Sequence, residues 1–247
     1  MNDVPLRACL LVVLSAAMAF VLMGCAVGHQ HEYRVHLPVF LEGHGRVAVA
    51  VHDQRPDVVD GSEDVDYVGM QRGSYGNPWD VTTRSGNALA EDWARTVVDA
   101  LQRGGFASEV VSTSPSQSHV EVVSRLRDTR ADALMLFTVH AWHSDTFGDT
   151  TVHRDVVLEV IEPSGKLLAV TRSGGDRALY YLGLDEAGNA DREVPRTFQK
   201  TLEWMFANAR VQRALLAATG SAPRGQLQAP VEEPPSHAQR EAAPPDR

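Results

Sequence analysis

The chain has 247 residues and a formal charge of −9, with 43% apolar residues and 22% charged. That acidity makes it a poor match for nucleic acid or an anionic lipid surface. No cofactor is implied by its motifs. The two cysteines, Cys9 and Cys25, both lie near the N-terminus, which leaves the body of the chain without a thiol pair for a disulfide or a thiolate metal site.

In chain order, residues 1–24 read as a lipoprotein signal peptide. Arg7 precedes an unbroken weakly polar to apolar run from Ala8 to Met23, 16 residues long. This is shorter than the roughly 20 needed for a permanent membrane span. The run ends in Leu22-Met23-Gly24-Cys25, which resembles the lipobox cut before a lipid-accepting cysteine. The resemblance implies diacylglycerol and palmitate on Cys25, and Ala26 next to it favours an outer-membrane, periplasm-facing location over inner-membrane retention. Two or three acyl chains attach far more firmly than the marginal hold of one. Residues 25–45 are then a lipidated tether.

Residues 46–218 read as one periplasmic domain. Arg46 to Val51 alternates valine and alanine and reads as a buried strand that stops at Pro56. An acidic loop from Asp57 to Asp66 follows, without the spacing of a calcium loop. Tyr67–Gln71 and Trp79–Thr83 predict a hairpin across a glycine-rich turn. Leu89, Trp93, Val97 and Leu101 share one helical face, and Gly104-Gly105 ends that helix. Phe106–Val111 predicts a strand, and Val120, Val123 and Leu126 a short helix. Ala131–Trp142, Thr151–Ile161 and Leu167–Thr171 predict an antiparallel meander. A last helix is expected from Pro195, a first-turn proline, to Ala218. The fold class is α/β, a mixed parallel and antiparallel sheet with packed helices in a single domain. Residues 219–247, rich in proline and alanine, carry no apolar periodicity and are expected to be disordered.

The order of elements, with Asp53-x-Arg55-Pro56 after the first strand, Val68-Gly69 in the hairpin and Gly105-Phe106 after the helix, resembles the YajG-like bacterial lipoproteins. That resemblance covers roughly 46–216. It implies a monomer-sized periplasmic α/β domain and assigns no chemistry.

Three sets of residues are candidates for function. Asp53 and Arg55 end a strand, where open sheets receive ligands, or they pair with each other and close the loop. His140, His143 and His153, near Asp145, are the metal candidates. Positions 140 and 143 face opposite ways in a regular strand, so a metal site there needs a bulge. In the last helix, Phe198, Leu202, Met205, Phe206, Ala209 and Leu216 make one apolar face, while Trp204, Val211 and Leu215 fall nearly opposite and form a candidate partner surface. No nucleophile elbow, zinc-protease, phosphate-loop or dinucleotide motif is present. The expectation is a non-enzymatic, membrane-anchored accessory domain that binds an envelope protein. The alternative is a small-ligand or metal-binding envelope lipoprotein.

Overall fold

In the computed structural model, which describes residues 29–73, 76–180 and 186–221, the valine-alanine alternation of β2 (Arg46–Asp53) sets the layering. Val47, Val49 and Val51 enter the main core on one face of the sheet, and Ala48 and Ala50 enter a smaller core on the other. The small side chains admit a helix closely on that second face.

The element order begins with β1 (Gln30–His31), β2, the single turn α1 (Pro56–Val59), β3 (Tyr67–Arg72) and β4 (Pro78–Thr83). It continues with α2 (Leu89–Arg103), β5 (Ala107–Val111), α3 (His119–Asp128), β6 (Ala133–Phe147), β7 (Asp149–Ile161), β8 (Leu167–Leu179), α4 (Glu186–Ala207) and α5 (Ala209–Ala218). The eight strands of the described residues join one mixed sheet; the sequence predicts the mixed sheet but not β1. Strand β2 runs parallel to β5 and β6, whereas β6, β7 and β8 form an antiparallel meander.

Strand β6 is the spine. One edge pairs with β7 along almost its whole length. Its other edge is shared, with Ala133–Val139 alongside β2 and Ser144–Thr146 alongside β3. The sheet therefore forks at residues 140–143. A bulge between Val139 and Ala141 reverses the facing of β6 at that point. Before it, Met135, Phe137 and Val139 face the main core; after it, Trp142 does.

Helix α2 packs Leu89, Trp93, Val97 and Leu101 on the main face, in the predicted phase, and Gly104 caps it. Helix α3 covers the second face with Val122 and Leu126. Its start is fixed by a capping box between Ser118 and Glu121. Val120, placed on the buried stripe by sequence, is 75% exposed. Edge-to-face rings fill the main core, with Trp93, Trp142 and Tyr33 each meeting Phe198. Such pairs contribute about 0.5–1.5 kcal/mol beyond simple burial.

Five features differ from the sequence expectation. Residues 30–42, assigned to a tether, lie on the body: β1 pairs with β4, and Tyr33 and Leu37 are fully buried. At the other end, Ser221 is buried and its Oγ accepts from the His44 amide at 3.0 Å. Strand β8 runs on through Gly174-Gly175 to Leu179, because β7 supplies a continuous partner. The last helix begins by Glu186, so Pro195 lies inside it rather than in its first turn. That helix is also two helices. Asn208 leaves the helical region (φ −65, ψ 114), and its side chain accepts from the Arg210 amide to start α5.

Candidate functional site

Each predicted site residue can be followed to its place, beginning with the fork. Asp53 and Arg55 are both buried, and they bind each other through two contacts, Nε to Oδ1 at 2.9 Å and Nη2 to Oδ2 at 2.7 Å. The Arg55 amide also donates to Oδ1 at 3.2 Å. The remaining guanidinium nitrogen donates to the carbonyls of Tyr67 at 2.5 Å and Trp142 at 3.3 Å. These carbonyls lie where β6 passes from one neighbour to the other. Arg55 thus supplies donors at the fork, and Asp53 neutralises its charge. The pair is a structural brace with its polar atoms turned inward. As a ligand site it is corrected.

The break at Asn208 corrects the partner surface. It rotates α5 relative to α4, so Val211 and Leu215 turn inward and are each 1% exposed. Trp204 is partly buried against the same core. The opposite-face pattern holds for one continuous helix, and the chain does not make one.

The bulge in β6 answers the histidine question. His143 and His153 are cross-strand partners with stacked rings, centroids 4.6 Å apart. His153 Nδ1 is 2.8 Å from Asp176 Oδ1. His140 is exposed at the bulge. Among the described residues no three histidine, cysteine or acidic side chains converge as metal ligands. Burial, with the neighbouring His153, holds His143 below the ordinary histidine value.

The sequence reading misses one constellation. His31 Nε2 lies 3.2 Å from Ser144 Oγ, and His31 Nδ1 lies 3.4 Å from Asp191 Oδ1. Strand β1, strand β6 after its bulge, and helix α4 each supply one member. The alternation His31, Tyr33, Val35, Leu37 is the signal that could have found this segment. The order serine, histidine, aspartate is that of a nucleophilic triad. Yet His31 and Ser144 are each 1% exposed. Gly69, at φ +152, packs so closely that a Cβ there would lie 2.3 Å from the Ser144 carbonyl oxygen and 2.4 Å from its Oγ. A substrate carbonyl has no room to reach Oγ. The 3.4 Å contact exceeds an ordinary N–H···O hydrogen bond. Burial works to raise the Asp191 carboxyl, but contact with His31 and the charges of His29 and Arg84 hold it below its ordinary value. The three residues clamp the N-terminal segment to the body.

Two surface cavities among the described residues add no reactive group. A cleft of about 530 Å³ is lined by Arg34, His36, Asp99 and Arg103. Its charges are already engaged, Arg34 by Asp99 at 3.0 Å and Arg103 by the Leu37 carbonyl at 2.7 Å. Another, of about 110 Å³, lies between α2 and β5 and is mostly apolar. Among the described residues no helix is long and apolar enough to cross a membrane.

No family model and no curated protein matches the chain. Several solved structures are similar in outline. Protein XCC0632 from Xanthomonas campestris, of the DUF330 family, is 12% identical over 75% of this chain and 94% of its own, with a TM-score of 0.43. Lipoprotein GNA1162 from Neisseria meningitidis is 11% identical over 66% of this chain and 99% of its own, at 0.31. The C-terminal domain of LpoB from Salmonella enterica is 11% identical over 58% of this chain and 88% of its own, at 0.27. With TM-scores below 0.5 these likenesses carry no functional argument. The resemblance to the YajG-like lipoproteins accordingly rests on its motifs alone.

Proposed function

We propose that this chain is a lipid-anchored envelope domain, facing the periplasm from the outer membrane, that acts by binding a protein rather than by catalysis. The anchor reading comes from Leu22-Met23-Gly24-Cys25. The non-enzymatic reading is favoured by the burial of His31 and Ser144, with Gly69 packed against the Ser144 hydroxyl.

The observation that carries protein binding is strand β8. It has 13 residues and pairs only with β7 among the described strands. Leu167 and Val170 are 49% and 50% exposed on it. Proteins ordinarily blunt a long edge strand, and one that carries exposed apolar side chains is a template for strand addition by a partner. The partner we infer is an envelope protein that presents an extended segment to this edge.

A photo-crosslinking residue at Val170 in living cells tests this. It should join the chain to one recurrent protein, whereas the same probe at Val120, which is 75% exposed on α3, should not. Equal yields of the same product from both positions would overturn strand addition at β8.

A further inference from the structure

The strand registers place three exposed aromatic side chains at one end of the sheet. Trp79, Phe147 and Tyr180 are 44%, 58% and 60% exposed. Gln71 pairs with both Trp79 and Thr146, so Trp79 is one step from the level of Phe147. Phe147 pairs with Asp149, and Thr150 with Leu179, so Tyr180 shares that level too. Across β4, β3, β6, β7 and β8 these residues therefore form a rim, with about 10 Å between successive aromatics.

The path of β1 connects this rim to the anchor. Strand β1 runs parallel to β4, with Gln30 beside Thr82. The described chain enters β1 at His29, whose carbonyl accepts from the Thr82 amide, so β1 rises along β4 from the side of Trp79, which is three residues or about 10 Å before Thr82. The clamp of His31 on Ser144 and Asp191 holds β1 in this direction. Cys25 precedes Gln30 by five residues, a reach of at most about 17 Å. A lipid on Cys25 would thus bring a bilayer to the rim end. The opposite end of β6, at Ala133, is roughly 45 Å of strand away and out of reach.

We propose that Trp79, Phe147 and Tyr180 are seated in the membrane interface, with the lipid on Cys25 holding them there. This proposal rests on the anchor reading of the preceding section. Aromatic rings prefer the boundary between headgroups and hydrocarbon, where an apolar body and a polar tip are both accommodated. The charges at this end are mixed: Arg72 is paired with Asp145 at 2.9 Å, Asp80 follows Trp79 in β4, and Asp149 pairs with Phe147. A neutral lipid surface fits this rim better than an anionic one. With the rim on the membrane, Leu167 and Val170 lie toward the far end of β8. The edge offered to a protein is then held off the bilayer by up to about 40 Å of strand.

The test uses the full chain, extracted from bacterial membranes and reconstituted into phosphatidylcholine vesicles with bromine on the upper acyl carbons. Mass spectrometry of the N-terminal peptide reports lipid on Cys25 separately. Trp93 and Trp142 are fully buried and Trp204 is partly buried against the core, so in a Trp204→Phe background quenching by bromine should come mainly from Trp79 and should be lost when Trp79→Phe is added. A lipidated chain whose quenching is the same with and without Trp79 would overturn the rim and leave the anchor standing. An unmodified Cys25 would overturn both.

Discussion

Arg55 binds Asp53 through two hydrogen bonds, at 2.9 and 2.7 Å, and spends its remaining donors on the carbonyls of Tyr67 and Trp142. A strand that changes partners halfway along must leave carbonyls without ladder donors. A guanidinium can serve two of them at once while its own charge is neutralised. The motif after the first strand is therefore best understood as the joint of the fork.

Removing either member leaves an unpaired charge in a site with almost no exposure. Asp53→Ala and Arg55→Ala should each lower stability by about 3–5 kcal/mol. Arg55→Lys should rescue little, since an ammonium cannot reproduce the planar two-point contact. Denaturant melts of the folded chain would measure this, and a loss below about 1 kcal/mol for Arg55→Lys would show that the fork does not depend on the brace.

The inward turn of α5 makes a second prediction. Leu215 is 1% exposed and belongs to the main core, so Leu215→Ala should cost about 2–5 kcal/mol. A surface leucine would cost a few tenths of that. Asn208→Ala, which removes the side-chain acceptor for the Arg210 amide, should cost about 1 kcal/mol. Thermal unfolding of both variants, followed by circular dichroism, separates these cases.

Where sequence and structure agree, local signals and tertiary pairing point the same way. The alternation of β2, the four-residue period of α2 and the Gly104 stop all act within a few residues, and the mixed sheet follows from them. Where they part, a single polar residue or a distant partner decides. Asn208 interrupts a stretch whose apolar period continues on both sides, so periodicity alone reads one helix. Gly174 and Gly175 look like the end of a strand, but β7 carries the ladder through them. Segment 31–37 alternates His31, Tyr33, Val35 and Leu37 with Glu32, Arg34 and His36, but it lies between a signal-like run and the first long strand and so reads as part of the tether. The triad-like cluster was illegible because its three members come from three distant elements, and one of them depends on the bulge for its facing.

The perturbed histidines set a pH dependence. Burial lowers His52 below its ordinary 6.5, the charges of His119 and His140 adding to this and a backbone contact at Gln117 and Asp53 opposing it. Burial and His153 lower His143 in the same way, against Asp57 and Asp145, with Arg55 adding to the depression. In the window just below 6.5 the unfolded chain binds more protons at these sites than the folded one. Stability therefore rises with pH there. The contribution is fully present above about 6.5 and is lost as pH falls toward the lowered folded values. Stability measured from pH 7.5 to 5 should decline, and the decline should be shallower in His143→Asn. An unchanged slope in that variant would remove His143 from the account.

The clamp at His31 joins folding to the anchor geometry. Its ring meets Ser144 on β6 and Asp191 on α4, and it is 1% exposed. Without it, β1 keeps two residues of pairing with β4, and the next anchor is Tyr33, held by Trp142 and Thr96. Replacing the ring leaves the buried Ser144 hydroxyl without this partner and frees the partly exposed Asp191, and the cost of losing a buried hydrogen-bond partner is about 1–3 kcal/mol. His31→Ala should therefore lower global stability modestly and raise amide exchange most strongly at residues 29–37. The exchange of β6 and β7, held by their long antiparallel ladder, should change little by comparison. If exchange rose evenly across the sheet, His31 would be a general core residue. If the rise is confined to the N-terminal segment, then one histidine fixes the direction in which the chain leaves the body toward Cys25, and so which end of the sheet meets the membrane.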